Sequence, residues 1–168
     1  SVSYIARTEA FDCGIMISAS HNPYTDNGIK LINGNGEKME DEVVSAVEVY
    51  LDGKSSEAPY ATGETIGRAI DHSTGRNRYI GYLISLASHS FSGMKVALDC
   101  ANGSTWAMAK GIFDALGAET YVINNLPNGK NINRGCGSTH MDQLRRIVHD
   151  NQLHVGFAFD GDADRCLA

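Results

Sequence analysis

Three carboxylates fall within five residues at Asp160-Gly161-Asp162-Ala163-Asp164. At neutral pH such groups repel one another unless a cation lies among them. An oxygen-only donor set suits a hard cation such as Mg²⁺. Gly161 and Ala163 are small enough to let the loop curl until the three side chains converge. A solvated acidic turn has the same composition, but this cluster follows the apolar run Val155–Phe159 and so lies at the carboxyl edge of a predicted strand. A calcium EF-hand loop also opens with alternating acids. It needs glycine at its sixth position, where this chain has Arg165.

The second chemical stretch is Ser18-Ala19-Ser20-His21-Asn22-Pro23. The strand-like run Gly14-Ile15-Met16-Ile17 leads into it, and a polar, turn-rich loop carries the chain on to Lys30. A strand that delivers a serine into such a loop places the hydroxyl at the mouth of a sheet, where α/β folds bind ligands. Ser20 beside His21 has the composition of a nucleophile with a neighbouring base, and equally that of a serine capping a turn. No G-x-S-x-G elbow supports a hydrolase triad. No Walker A sequence is present, and Gly34-Asn35-Gly36 does not continue as a dinucleotide fingerprint.

The elements that must position these residues follow from periodicity and turn signals. Residues 2–11 read as the end of a helix, 14–18 as a buried strand, and 29–32 as a short strand. Asn33-Gly34-Asn35-Gly36 is a hairpin signal, because Asn and Gly accept positive φ. Val43, Val44, Val47 and Leu51 share helical spacing over 40–51, with Gly53 past the helix end. Residues 52–75 are rich in Gly, Ser, Thr and Glu, and a domain boundary is expected near 72. Beyond it, helices are predicted over 77–88, 105–116 and 141–151, and strands over 93–100, 119–124 and 155–159. Asn102-Gly103-Ser104 reads as a tight turn and helix cap. Alternating strands and helices imply an α/β fold, with parallel or mixed sheets and covering helices.

Composition narrows the function classes. The chain has 168 residues, 42% hydrophobic and 20% charged, with a net charge of −6. These values suit a globular protein with its own core. The acidic balance and the lack of aromatic–basic interleaving argue against nucleic acid as a partner. No apolar run approaches the roughly 20 residues that span a bilayer, so no membrane partner is expected. Cys13, Cys100, Cys136 and Cys166 form no CxxC pair, and Cys13, Cys100 and Cys166 lie in or beside apolar runs. Reduced, mostly packed thiols in a cytoplasmic protein are expected. The chain opens without Met and stops as another strand begins, and it reads as a piece of a longer protein.

Ser18-Ala19-Ser20-His21-Asn22-Pro23 and Asp160-Gly161-Asp162-Ala163-Asp164-Arg165, in this order and at this separation, resemble the α-D-phosphohexomutase family. The resemblance covers essentially the whole chain. Asp26-Asn27-Gly28-Ile29-Lys30, Asp99-Cys100-Ala101-Asn102-Gly103 and residues 131–140 point within the family to the branch that acts on glucosamine phosphates. It implies a fragment of a four-domain chain, with residues 1–72 closing domain 1 and 73–168 forming domain 2. It implies that Ser20 carries a phosphoryl group and that Asp160, Asp162 and Asp164 hold Mg²⁺, with a phosphoserine oxygen of Ser20 as a further ligand. Lys30 matches the candidate general base, His21 sits beside the phosphoryl group, and Arg165 steadies its charge.

The implied reaction interconverts glucosamine 6-phosphate and glucosamine 1-phosphate through a 1,6-bisphosphate. The implied partner is a small phosphosugar, with a homodimer as the candidate assembly of the complete chain. The family's amino-terminal phosphate-contacting segment is missing, as are its sugar-reading and phosphate-binding loops of domains three and four, so the fragment is expected to hold the chemistry half of a site with little of its recognition half, and not to sustain mutase turnover alone. Two alternatives stand beside this reading. One is a mannose or glucose phosphate mutase of the same family. The other is a non-catalytic module that binds phosphate and metal.

Overall fold

The computed structural model describes residues 1–55 and 58–168. Two compact units emerge. The first comprises Ser1–Met16 and Lys30–Tyr79, and the second Ile17–Ile29 and Ile80–Ala168.

The first unit begins with helix α1 (Val2–Thr8), which buries Ala6. Strands β1 (Cys13–Ser18) and β2 (Gly28–Asn33) form a two-stranded sheet, and the segment between them is assigned to the second unit. Gly14 lets α1 approach β1, since a Cβ there would lie 2.6 Å from Val2 Cγ1. The Asn–Gly signal forms its turn. The Gly36 N–H donates to the Asn33 carbonyl, the Asn33 side-chain oxygen accepts from the amides of Asn35 and Glu37, and Ile32 pairs antiparallel with Lys38. Helix α2 (Asp41–Leu51) follows and ends before Gly53 at φ +70°.

Here the structure departs from the sequence reading. β1 is not a buried strand: its residues alternate between exposed and half-buried, and Ile15 and Ile17 are 61% and 69% exposed. Period-2 alternation sends both isoleucines to one face, which this small sheet leaves open. Helix α3 (Ser73–Ser85) starts four residues earlier than expected, in a stretch read as linker.

The second unit is a four-stranded sheet ordered β4-β3-β5-β6. Strands β3 (Lys95–Asp99), β4 (Glu119–Ile123) and β5 (Val155–Phe159) run parallel, and β6 (Cys166–Leu167) pairs antiparallel with β5. β3 is central and apolar on both faces, as a covered parallel strand requires. Val96, Leu98 and Cys100 pack with Ala109, Phe91, Phe113 and Phe157. Ala97 and Ala158 pack with Leu144 and Leu153. Helix α4 (Ala109–Ala115) belongs to the first cluster through Ala109 and Phe113. Helix α5 (Asp142–Asp150) belongs to the second and comes so near β5 that a Cβ on Gly156 would lie 2.7 Å from Val148 Cγ2.

The helix expected over 105–116 is split. A 3₁₀ turn spans Ser104–Ala107, and Met108 at φ −135° leaves the helical region before α4 begins. The thiols are also less uniformly packed than expected. Cys100 and Cys136 are buried, whereas Cys13 and Cys166 are exposed, and all four are free. Cys13 opens a strand of the small sheet, and Cys166 lies on the short edge strand.

At the carboxyl edge of the parallel strands, fully buried Asp99 accepts three hydrogen bonds. They come from the Ala101 amide at 3.0 Å, the Asn124 carboxamide at 3.0 Å and the Gly137 amide at 2.9 Å. A buried carboxylate is tolerated when its lone pairs are so satisfied. Asp99 thereby ties the ends of β3 and β4 to the loop before α5. No helix among the described residues is long and apolar enough to cross a membrane.

Candidate active site

The serine loop and the acidic loop meet within the second unit. Ser20 lies past β1, partly buried, at φ +51°. A serine in the left-handed region is costly, on the order of 1–3 kcal/mol, and persists only where its surroundings hold it. They hold it from several sides. The Ser20 amide donates to Ser18 Oγ at 2.9 Å, and the Asn22 amide to the Ala19 carbonyl at 2.8 Å. The Ser20 carbonyl accepts from the Gly161 amide at 2.9 Å.

This geometry turns Ser20 Oγ toward the carboxylates. Its hydroxyl donates to Asp160 Oδ2 at 3.2 Å, while His21 Nδ1 stands 3.4 Å from Ser20 Oγ. A hydroxyl has one hydrogen. With that hydrogen directed at Asp160, the Ser20 oxygen can meet His21 Nδ1 only as an acceptor.

Asp160 is buried, Asp162 half-buried and Asp164 exposed, and one carboxylate oxygen from each lies within 4.8 Å of the others. The loop curls because Ala163 takes φ +60° and its amide donates to the Asp160 carbonyl at 3.1 Å. Burial pushes the Asp160 carboxyl above the usual aspartate range, and the charges of Asp162 and Asp164 push the same way. The Arg165 amide and the Ser20 hydroxyl, both donating to that carboxylate, offset part of the rise. Three converging oxygen donors that repel one another, one of them in a dry environment, fit a divalent hard cation.

Of the residues singled out from sequence, Ser20, His21, Asp160, Asp162, Asp164 and Arg165 belong to this unit. Arg165 joins the acidic loop through its main chain, its amide reaching Asp160 Oδ1 at 3.2 Å and its carbonyl accepting from the Asp160 amide at 3.3 Å. Lys30 lies on β2 and clusters with the first unit.

Three further contacts were not foreseen from the sequence. Gly103 passes so close to Gly161 that a Cβ on it would overlap the Gly161 backbone. Ser104 caps no helix with its side chain, and its amide donates instead to the Gly161 carbonyl at 2.8 Å. Asn133 reaches the serine loop from the segment before α5. The local signal for these was faint: two glycines, and asparagines in stretches rich in turn residues.

The fold and site mark a protein that brings a serine and three converging carboxylates together at the carboxyl edge of a parallel sheet. Residues 1–58 match the phosphoglucomutase/phosphomannomutase alpha/beta/alpha domain I, and residues 77–168 match domain II. The chain belongs to this family, the α-D-phosphohexomutases.

Among its relatives, phosphoglucosamine mutase of Lachnospira eligens is 65% identical over 167 residues, which are 99% of this chain and 37% of that protein. The corresponding enzyme of Lachnoclostridium phytofermentans is 63% identical over the whole chain and 38% of its own length. The chain thus spans under two-fifths of these relatives. Solved structures share the fold. A phosphoglucomutase/phosphomannomutase family protein of Burkholderia thailandensis superposes with a TM-score of 0.66 at 24% identity, over 92% of this chain and 32% of that one. The Aspergillus fumigatus N-acetylphosphoglucosamine mutase, in complex with GlcNAc-6P and magnesium, gives 0.53 at 17% identity, over 99% of this chain and 46% of its own.

Proposed function

We propose that this chain is the phosphoryl-transfer part of a phosphoglucosamine mutase, an isomerase that interconverts glucosamine 6-phosphate and glucosamine 1-phosphate. The observation that carries this reading is Ser20 Oγ at 3.2 Å from Asp160, one of three converging carboxylates. The relatives of 65% and 63% identity, both phosphoglucosamine mutases, support the choice of sugar.

In this reading Ser20 carries a phosphoryl group and gives it to the free hydroxyl of the sugar monophosphate. The Ser20 Oγ–P bond breaks and a sugar O–P bond forms. The sugar hydroxyl proton goes to Lys30 as general base, and the Ser20 oxygen, released as the leaving group, takes a proton from solvent to return to a hydroxyl. The resulting 1,6-bisphosphate turns over and hands its other phosphoryl group back to Ser20 by the reverse exchange. Asp160, Asp162 and Asp164 would hold Mg²⁺, together with an oxygen of phosphorylated Ser20. When bound, the ion supplies Lewis-acid neutralisation of phosphoryl charge. His21 lies beside the phosphoryl group, and Arg165 offsets part of its charge. Phosphoryl transfer asks a protein chiefly for such positioning and charge compensation.

Residues 1–72 are assigned to the end of a first domain and 73–168 to a second, with a homodimer as the assembly of the complete chain. Four free thiols support a reducing, cytoplasmic setting.

The test is intact mass after incubation with glucosamine 1,6-bisphosphate and Mg²⁺, with Ser20→Ala beside it. One added phosphoryl group in the parent and none in the variant is the expected result. Uptake by the variant would overturn the assignment of Ser20.

A further inference from the structure

The carboxamide of Asn133 reaches across 113 residues of sequence to the serine loop. Its Nδ2 donates to the Ser20 carbonyl at 2.7 Å and to the Asn22 carbonyl at 2.8 Å. Both partners are carbonyl oxygens, so only the NH₂ end of the side chain fits, and its two hydrogens meet two acceptors. Asn133 is 8% exposed and takes φ +56°, a conformation asparagine tolerates better than most residues. Its own amide donates to the Ala101 carbonyl at 2.9 Å, and the Ala101 amide is held in turn by Asp99. A continuous set of hydrogen bonds therefore runs from the buried carboxylate at the end of β3, through Asn133, to the backbone of Ser20.

We propose that Asn133 is a positioning residue for phosphoryl transfer: by gripping the carbonyls on either side of His21, it keeps Ser20 in its left-handed conformation with Oγ aimed at Asp160. This rests on the phosphoryl-transfer reading above. The two carbonyls bracket the dipeptide step at which the loop reverses. Fixing both leaves Ser20 little freedom to relax toward an extended backbone, which would swing Oγ away from the carboxylates. The Gly161 amide shares the Ser20 carbonyl but makes no bond to Asn22. Among the described residues only Asn133 is seen to hold both ends.

The experiment uses the 168-residue chain. Asn133→Asp keeps the size of the side chain and replaces its two donors with acceptors. Asn133→Gly, which accepts positive φ, removes the grip without adding charge and serves if the first variant does not fold. Phosphorylation of Ser20 by glucosamine 1,6-bisphosphate and Mg²⁺ is followed by intact mass at a temperature well below each variant's melting point. A misaimed nucleophile lowers the maximal rate by about 10²-fold, while the half-saturating bisphosphate concentration stays near that of the parent. A variant that phosphorylates at the parent's maximal rate, whatever its melting temperature, overturns the proposal.

Should the parent fragment take up no phosphoryl group, the same incubation of the complete chain decides the phosphoryl-transfer reading, and the backbone claim is decided by NMR on the fragment. Loss of the left-handed backbone signature of Ser20 in the variant, with β3 and β5 resonances in place, supports the grip. An unchanged Ser20 signature overturns it.

Discussion

The Gly161 amide donates to the Ser20 carbonyl at 2.9 Å. The residue between Asp160 and Asp162 thus holds the serine loop, and the acidic loop and Ser20 are tied through their main chains. A displacement of the acidic loop is passed directly to Ser20 through one main-chain bond.

Gly161→Ala tests that linkage. An added methyl would meet the Ser20 carbonyl oxygen and lie 2.7 Å from Ile132 Cδ1. Backbone oxygen cannot rotate aside as a side chain can, so the two loops must separate. Overpacking of this kind costs about 1–3 kcal/mol, which urea denaturation would register. Calorimetry should show weaker Mg²⁺ binding in the same variant. Unchanged stability and affinity would mean that the loops are not coupled here.

Asp160 sets a pH dependence with a definite sign. Burial first, then the charges of Asp162 and Asp164, hold its carboxyl above the usual aspartate range. In the window between the unfolded and the raised folded value, the folded chain binds the proton that the unfolded chain has lost. Stability of the metal-free chain therefore falls as pH rises through that window. Mg²⁺ competes with the same proton, so its affinity rises with pH over the same range. Asp160→Asn should flatten the stability trend. Stability melts and Mg²⁺ titrations from pH 4 to 7 would reveal either trend or its absence.

The thiols should react in two classes. Burial raises the Cys100 thiol, and burial followed by the nearby Asp99 charge lifts Cys136 to about 11. Both thiols are also sterically enclosed. Alkylation at pH 8 should modify Cys13 and Cys166 in the folded chain, Cys166 more slowly because partial burial raises its thiol too. Cys100 and Cys136 should react only on unfolding. Peptide mapping of the alkylated sites reads this directly, and modification of Cys136 in the native chain would contradict its placement.

How much was legible in the sequence depends on how local each cause is. β3 and β5 announce themselves as short apolar runs, and the acidic loop as carboxylates at a strand end. Gly36 and Gly53 mark their turns through positive φ. What local pattern does not carry is the company a segment keeps. Residues 17–29 cluster with the chain from Ile80 onward, although they begin within β1. Asn133 looks like any loop asparagine until Ser20 and Asn22 are seen to accept from it. β1 reads as buried because four apolar residues in succession suit a covered strand. Burial depends on what packs against each face, and that information lies outside the run. Ser104 has the composition of a helix cap, and the nearness of Gly161 gives its amide another partner.

The close passage of Gly103 over Gly161 has a consequence for how this chain can change. Where two side chains collide, trimming one restores room for the other, and paired substitutions can drift together. Here the obstacle to a side chain on Gly103 is the main chain of Gly161, which no replacement can shorten. A mutation at Gly103 has no compensating partner at Gly161. Gly103 is a dead end for suppression at its neighbour: a genetic screen for revertants of Gly103→Ala should return true reversions, or suppressors elsewhere in the fold, and none at Gly161.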